Sequence, residues 1–374
     1  MKRNARKPRR QNREVASQWQ LIRWRFMKHK LGVFSFAVVI LLYLIAIFCE
    51  FLSPYNPSTY SSKFMYAPPQ KLGLFYTDDT GTHFQLHAKG YTSVMNKDAG
   101  RWEHSTDESI IIPISFFVHG DSYKMWGLFE SDVHLIGPTD PTQPFYLWGT
   151  DRMGRDMMTR VLTGTRISMS IGLIGVFLSL FLGVLLGGLS GYYGGRFDVV
   201  MQRVIEILRS IPAIPLWMAL AAAVPKEWSV MKTYFAITVI LSLIGWTGLA
   251  RVVRGRFLSL KSEDFVTVAK LNGCNELRII FKHMVPSFLS HIIASITLSI
   301  PLMIISETSL SFLGLGLRPP AISWGVLLQD AQNIRTISNS PWLLVAPTLF
   351  VIIAVLSMNF LGDGLRDSAD PYNT

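Results

Sequence analysis

Arg203, Glu206 and Arg209 stand inside an otherwise apolar run, which makes them the first residues to read for chemistry. Charge in such a run is costly unless it is paired or faces protein. Arg203 and Glu206 are three apart, so a helix places them on one face as an ion pair. Two readings stay open: snorkelling of long side chains to a membrane interface, or contact with a partner subunit or a translocation path. A second constellation is histidine. Five of the eight histidines (His83, His87, His104, His119 and His134) fall between residues 53 and 147. On a helix, the i,i+4 pair His83 and His87 would suit a metal ion. Gly81 and Thr82 argue against a helix there, and ordinary surface or core histidines are expected, with no metal site. No Gly-x-x-x-x-Gly-Lys-Ser/Thr loop occurs, so the chain does not hydrolyse ATP itself. Nothing resembles a Ser-His-Asp or Cys-His set. The sequence therefore predicts no catalytic residues and no cofactor of its own. Cys49 and Cys274, the only cysteines, fall at opposite membrane faces and form no disulfide.

The elements that carry these residues are set by hydropathy. Of 374 residues, 49% are hydrophobic and 16% charged. The apolar residues come in blocks, and a bilayer core of about 30 Å needs roughly 20 of them in a helix. Six stretches meet or approach this length: 31–52, 167–189, 199–224, 233–250, 288–306 and 342–362. The expected fold is an all-α integral membrane protein with six spans and a small, mostly β insert over 53–148. A lead-in occupies 149–166, and 167–364 form the core. Glycines at 172, 175, 183, 187 and 188 suit close helix packing in lipid.

Charge distribution sets the expected orientation. Residues 1–30 hold eleven Lys or Arg against one acid, and 251–286 hold seven against three, whereas 53–147 hold six basic and ten acidic residues. Basic flanks remain in the cytoplasm. Both termini are therefore expected inside and the insert outside, with 365–374 as a cytoplasmic tail. The net charge of +11 comes without base-reading or stacking elements, so nucleic acid is not an expected partner. The first apolar run is longer than a signal core and five more follow, so a retained anchor is expected. Disorder is expected over 1–17, and a helix in the inner headgroup layer or a simple basic flank over 19–30.

The loop between the fourth and fifth spans, 257–286, has more structure than a connector needs. Ser262 is read as the cap of a short helix with Glu263 and Asp264 in its first turn. Phe265, Val268 and Ala269 follow at helical spacing, and Gly273 ends the helix in the left-handed conformation. Asn275 caps a second helix running to Pro286. A helix, a glycine turn and a helix make a shape suited to a groove on another protein.

These residues resemble the loop of bacterial ABC-importer permeases. Phe265-Val-Thr-Val-Ala-Lys-Leu-Asn-Gly273-Cys274 and Ile279-Ile-Phe-Lys-His-Met-Val-Pro286 correspond to its Glu-Ala-Ala…Gly…Leu-Pro pattern. Gly149-Thr-Asp-Arg-Met-Gly-Arg-Asp156, Gly191-Tyr-Tyr-Gly-Gly-Arg-Phe-Asp198, Glu307-Thr-Ser-Leu-Ser-Phe-Leu-Gly-Leu-Gly and Ser323-Trp-Gly325 resemble the C-type permease of the dipeptide/oligopeptide branch. The resemblance implies a type I importer fold, a homologous second permease, two ATPase subunits that bind ATP and Mg, and an extracytoplasmic substrate-binding protein. It implies ATPase coupling through Asp264, Phe265, Thr267, Val268, Ala269, Lys270, Gly273, Cys274 and Pro286. Thr267 and Val268 stand where the family has an acid and an alanine. The 53–147 insert is longer than the usual connection and is expected to cap an outer vestibule or touch the binding protein. Peptide is the expected substrate class, with nickel, opine or sugar-conjugate cargo as alternatives and an ATP-independent channel or secondary carrier as a distant one. Ser295, Ser299 and Met303, four apart on one span, are candidates for the translocation path, or equally for helix packing.

Overall fold

The computed structural model describes residues 18–78, 81–96 and 101–369. The disorder expected over 1–17 lies outside these residues. Helix α1 (Gln18–Phe26) turns at Met27–His29 into α2 (Lys30–Ile47). His29 Nδ1 accepts from Gly32 N at 2.9 Å and so caps α2. The apolar run outlasts the helix: α2 ends at Phe48, and a separate turn follows over Cys49–Leu52.

Residues 72–138 form a four-stranded antiparallel sheet, β1 (Leu72–Asp78), β2 (Gly81–Asn96), β3 (Arg101–Met125) and β4 (Phe129–Pro138), in the order β1-β2-β3-β4. Ala88, Ile112, Ile114 and Phe145 make its small core. The fully buried His87 lies against Gly73, where an added Cβ would stand 2.4 Å from Nε2. His83 and His87 both lie on β2, so the helical i,i+4 geometry that a metal pair needs does not arise. Among the described residues no group of three metal-capable side chains occurs.

The helical body is built on α3 (Met157–Tyr193), which packs along α6 (Val230–Leu260). Gly187 makes this approach possible, since a Cβ there would sit 2.4 Å from Ala250 O. Helices α8 (Leu289–Phe312) and α11 (Trp342–Ala369) pack together, and α11 also packs on α2. Short α9 (Trp324–Gln329) and α10 (Ile334–Asn339) join them. The helices outrun their apolar stretches: α3 starts ten residues before 167 and α6 ends ten after 250. The 149–166 lead-in is thus a turn followed by the first turns of α3. Hydropathy marks the stretch suited to lipid, whereas the backbone ladder continues for as long as polar residues remain helical.

Among the described residues, five helices are long and apolar enough to cross a membrane. The run 199–224, read as one span, instead forms α4 (Gly195–Ser210) and α5 (Ala213–Ala222), bent by 86° at the break. Pro212 explains the break: proline disfavours the helical conformation for the residue before it, and Ile211 is extended at φ −87°, ψ 129°. Counting the bent pair as one span gives six.

Candidate functional site

The 257–286 loop begins with the end of α6 and then forms α7 (Asp264–Leu271). Its N-cap is Glu263, with no side-chain capping bond. Ser262, the expected cap, lies in the turn that follows α6 and donates instead to Ser259 O at 3.4 Å. At the other end Gly273 has φ +68°, and Cys274 N donates back to Ala269 O at 3.1 Å. This is the left-handed closure that glycine adopts without strain. Asn275 accepts from Leu277 N at 3.0 Å. One helical turn, Glu276–Arg278, leads into a π-helical segment, Ile279–Met284, and then Val285–Ser287, which holds Pro286. The π segment is absent from the sequence expectation of a plain second helix.

The loop has two unlike faces. Val266 and Ala269 are buried with Ile279, Ile280 and Met284 against Phe257 of α6 and Tyr192 of α3. Cys274 packs at the edge of this cluster. Lys270 Nζ stands 5.0 Å over the Tyr192 ring, and Tyr193 OH donates to Glu276 Oε2. The outward face carries Phe265, Thr267, Val268 and Leu271, with Leu271 83% exposed. Thr267 Oγ1 donates to Glu263 O at 3.4 Å, so its hydroxyl is used locally. At the same end of the body, Arg254 makes two 2.5 Å bonds to Asp198, joining α6 to α4.

The other candidates separate. Ser299 is exposed and donates to Ser295 O at 2.7 Å. Met303 is in the main core, 3.1 Å from the position of a Cβ on Gly175. The three residues therefore do not line one surface. Four residues turn a helix about 40° past one full turn, and across that step the surroundings change from the exposed Ser299 to the packed Met303. Arg203 Nη1 and Glu206 Oε2 pair at 2.7 Å, with side chains 75% and 50% exposed. An open pair of this kind contributes little on its own.

Two buried polar clusters were missed as sites, although their residues lie in the motifs quoted above. Glu307 is fully buried and accepts from Ser323 Oγ at 2.7 Å, Ser311 Oγ at 2.8 Å and Ser168 Oγ at 3.5 Å. Ser168 Oγ in turn accepts from Trp324 N at 3.1 Å. One carboxylate thus ties α3, α8 and α9 together. At the sheet-side start of α3, Asp151 accepts from Met153 N at 2.8 Å, Arg155 N at 3.0 Å and Arg155 Nε at 2.7 Å. Arg160 Nε lies 3.4 Å from the same carboxylate, and Arg152 pairs with Asp330 at 3.4 Å. Asp156 caps α3 through Thr159 N at 2.7 Å, and burial pushes its carboxyl up to about 7. Gly154 makes the turn, with φ +73° and Ser61 O only 1.9 Å from where a Cβ would be. A glutamate among serines in an apolar run was the signal that could have revealed the first cluster.

A body of membrane-length helices with a structured two-helix loop at one end defines a multi-pass membrane permease. Residues 180–372 match the family of binding-protein-dependent transport system inner membrane components, and 17–69 match the N-terminal membrane domain of oligopeptide transport permease C. The chain belongs to the binding-protein-dependent permease family: it is a transport-system component and not an enzyme. It is 38% identical over 242 residues to the oligopeptide transport system permease protein OppC of Haemophilus influenzae, covering 65% of this chain and 75% of that one. It is also 38% identical over 231 residues to the dipeptide transport system permease protein DppC of Bacillus subtilis, covering 62% and 70%. Among solved structures, an inward-facing MetNI methionine ABC transporter chain matches 57% of this chain and 98% of its own, at 17% identity and a TM-score of 0.44. Membership in the family implies ATPase partners and a second permease.

Proposed function

We propose that this chain is the C-type permease of a peptide importer, and that ATPase motion reaches it through residues 264–286. The carrying observation is the apolar outward face of α7. Phe265, Val268 and Leu271 stand in the open, while Val266 and Ala269 hold the opposite face to α3 and α6. A short helix with one face anchored and the other apolar suits insertion into a groove on a partner. Its base, fixed by Tyr193, Glu276 and Lys270, transmits a displacement to the spanning helices as a rigid-body movement. Thr267 and Val268 fit the same role without the family's acid, because both point outward and neither supports the loop.

In this reading the loop and both termini are cytoplasmic, and the sheet over 72–138 is extracytoplasmic, where it caps the vestibule or meets a binding protein. The basic flanks favour that orientation. The chain takes the type I importer fold with six spans, counting α4 and α5 as one, and supplies half of a pathway shared with a second permease. ATP and Mg bind to two partner ATPases, and a binding protein delivers substrate. Peptide is the substrate class because relatives named for oligopeptide and dipeptide transport share the helical body.

The test is co-purification from mild detergent with the ATPases and permease encoded beside the chain, comparing wild type with Gly273→Asp. The position is open, with nothing within 4 Å of an added Cβ. Positive φ strains any side chain here, aspartate less than most, so the comparison requires a variant whose melting temperature matches wild type. Loss of the ATPases from the variant alone is the expected result. Transport without ATP by a chain that purifies alone would replace this reading with a carrier.

A further inference from the structure

The tip of the β3–β4 hairpin is built against the sheet-side end of α2. Trp126 Nε1 donates to Ile47 O at 2.8 Å, and its ring lies 6.1 Å from Phe48 and 6.3 Å from Phe129. Phe117, nine residues earlier on β3, lies 6.1 Å from Phe51. Phe117 and Trp126 both hold positive φ, +56° and +53°, a conformation that large side chains rarely adopt. The backbone is bent at both positions, and both rings end beside the same helix terminus. Packing on α2 does not account for the rest of the tip. Leu128 is 74% exposed and Phe129 is exposed as well, while Phe116, opposite Ile136 further along the sheet, is also exposed. So dense an apolar patch on a sheet marks an interaction surface.

The position of the patch names its occupant. Helix α2 has 18 residues, and at about 1.5 Å per residue it is about 27 Å long, close to the thickness of a bilayer core. Ile47 is its last residue, so a ring bonded to the Ile47 carbonyl sits at the hydrocarbon boundary. Ile40, Leu44 and Ile47 form an exposed stripe on α2 that runs up to Trp126. The apolar tip continues this stripe. Just behind the tip, Lys124 and Glu130 pair at 2.9 Å on the exposed surface, so the apolar tip is bordered by charge. Aromatic rings with a polar handle concentrate at that boundary.

We propose that the hairpin tip is a membrane anchor, with Trp126, Leu128 and Phe129 seated in the headgroup–acyl boundary of the leaflet on the sheet side. The anchor rests on α2 spanning the bilayer, and it tethers one corner of the sheet to the lipid surface.

Spin labels report this directly. Leu128→Cys, Leu41→Cys on the exposed face of α2 and Ser109→Cys on β3 are each placed in a Cys49→Ala, Cys274→Ser background. The labelled chain is assembled with its permease and ATPases in phosphatidylcholine/phosphatidylglycerol nanodiscs. Accessibility to oxygen and to a water-soluble nickel chelate is then compared. At Leu128 the oxygen-to-nickel ratio is expected to be several-fold above that at Ser109 and to approach that at Leu41. A ratio at Leu128 equal to that at Ser109 places the tip in water and overturns the anchor. Exclusion of both reagents places a protein partner on the tip and overturns it equally. An aqueous Leu41 would instead remove α2 from the bilayer, a failure of the spanning reading itself. Phe129→Cys repeats the measurement with a second side chain.

Discussion

The 149–160 turn and the 264–286 loop lie at opposite ends of α3, and they treat their side chains in opposite ways. At the turn, Asp151 takes three bonds from its neighbours and the ion pairs are internal to the chain. Glu307, deeper in the body, likewise gathers its donors from Ser168, Ser311 and Ser323. At the loop, one face is closed by Val266 and Ala269, whereas Phe265, Val268 and Leu271 have no cover from this chain. At the first end the charged groups pair within the chain, although buried Asp156 Oδ1 and Thr159 Oγ1 make no hydrogen bond. The second is a surface whose apolar area is removed from water only by something else, which is the physical signature of a coupling element as opposed to a structural joint.

Substitutions at three positions can break or sharpen that contrast. The largest effect is expected at Glu307→Ala, which leaves three buried hydroxyls without their shared acceptor. A loss of about 2–4 kcal/mol in stability follows from groups left unsatisfied, read as a fall in melting temperature in detergent. Glu307→Gln, which keeps an acceptor oxygen, should lose less. Equal losses for the two variants would show that the network does not hold α9 in place.

Leu271→Glu comes next and should behave in the opposite manner. Its side chain is open, so the melting temperature of the isolated chain should shift by no more than about 0.5 kcal/mol equivalent. ATPase binding should weaken at least tenfold, about 1.4 kcal/mol. A variant that melts early and still binds would reverse the assignment of the two ends.

A third test is a pH slope at the turn. Burial raises the Asp156 carboxyl to about 7, above its ordinary value of about 4. The folded state therefore favours the neutral acid. Its stabilising contribution is complete below about pH 4 and is lost as pH rises through about 7. Wild type should melt higher at pH 5 than at pH 8, and Asp156→Asn should flatten that difference while keeping an acceptor for Thr159 N. An unchanged slope in the variant would assign the pH dependence to other groups.

Much of the helical body was legible because membrane-length apolar runs admit few other structures: a backbone in lipid must satisfy its own polar groups. The closure at Gly273 was legible for a similar reason, since an unhindered left-handed residue after a short helix is a local property of glycine. The cap at Ser262 misled because capping depends on where the preceding helix stops, and α6 runs ten residues past its apolar stretch.

What the sequence determined by itself was therefore local: apolar length, turn residues, the sign of the flanks and the motifs that mark the family. Tertiary structure alone decided the π-helical segment over Ile279–Met284 and the burial of Met303 against Gly175. It also decided the meeting of Glu307 with serines from α3 and from the start of α9. Each of these depends on which surfaces are pressed together, and residues 139 positions apart, as Ser168 and Glu307 are, share no periodicity that a linear reading can detect.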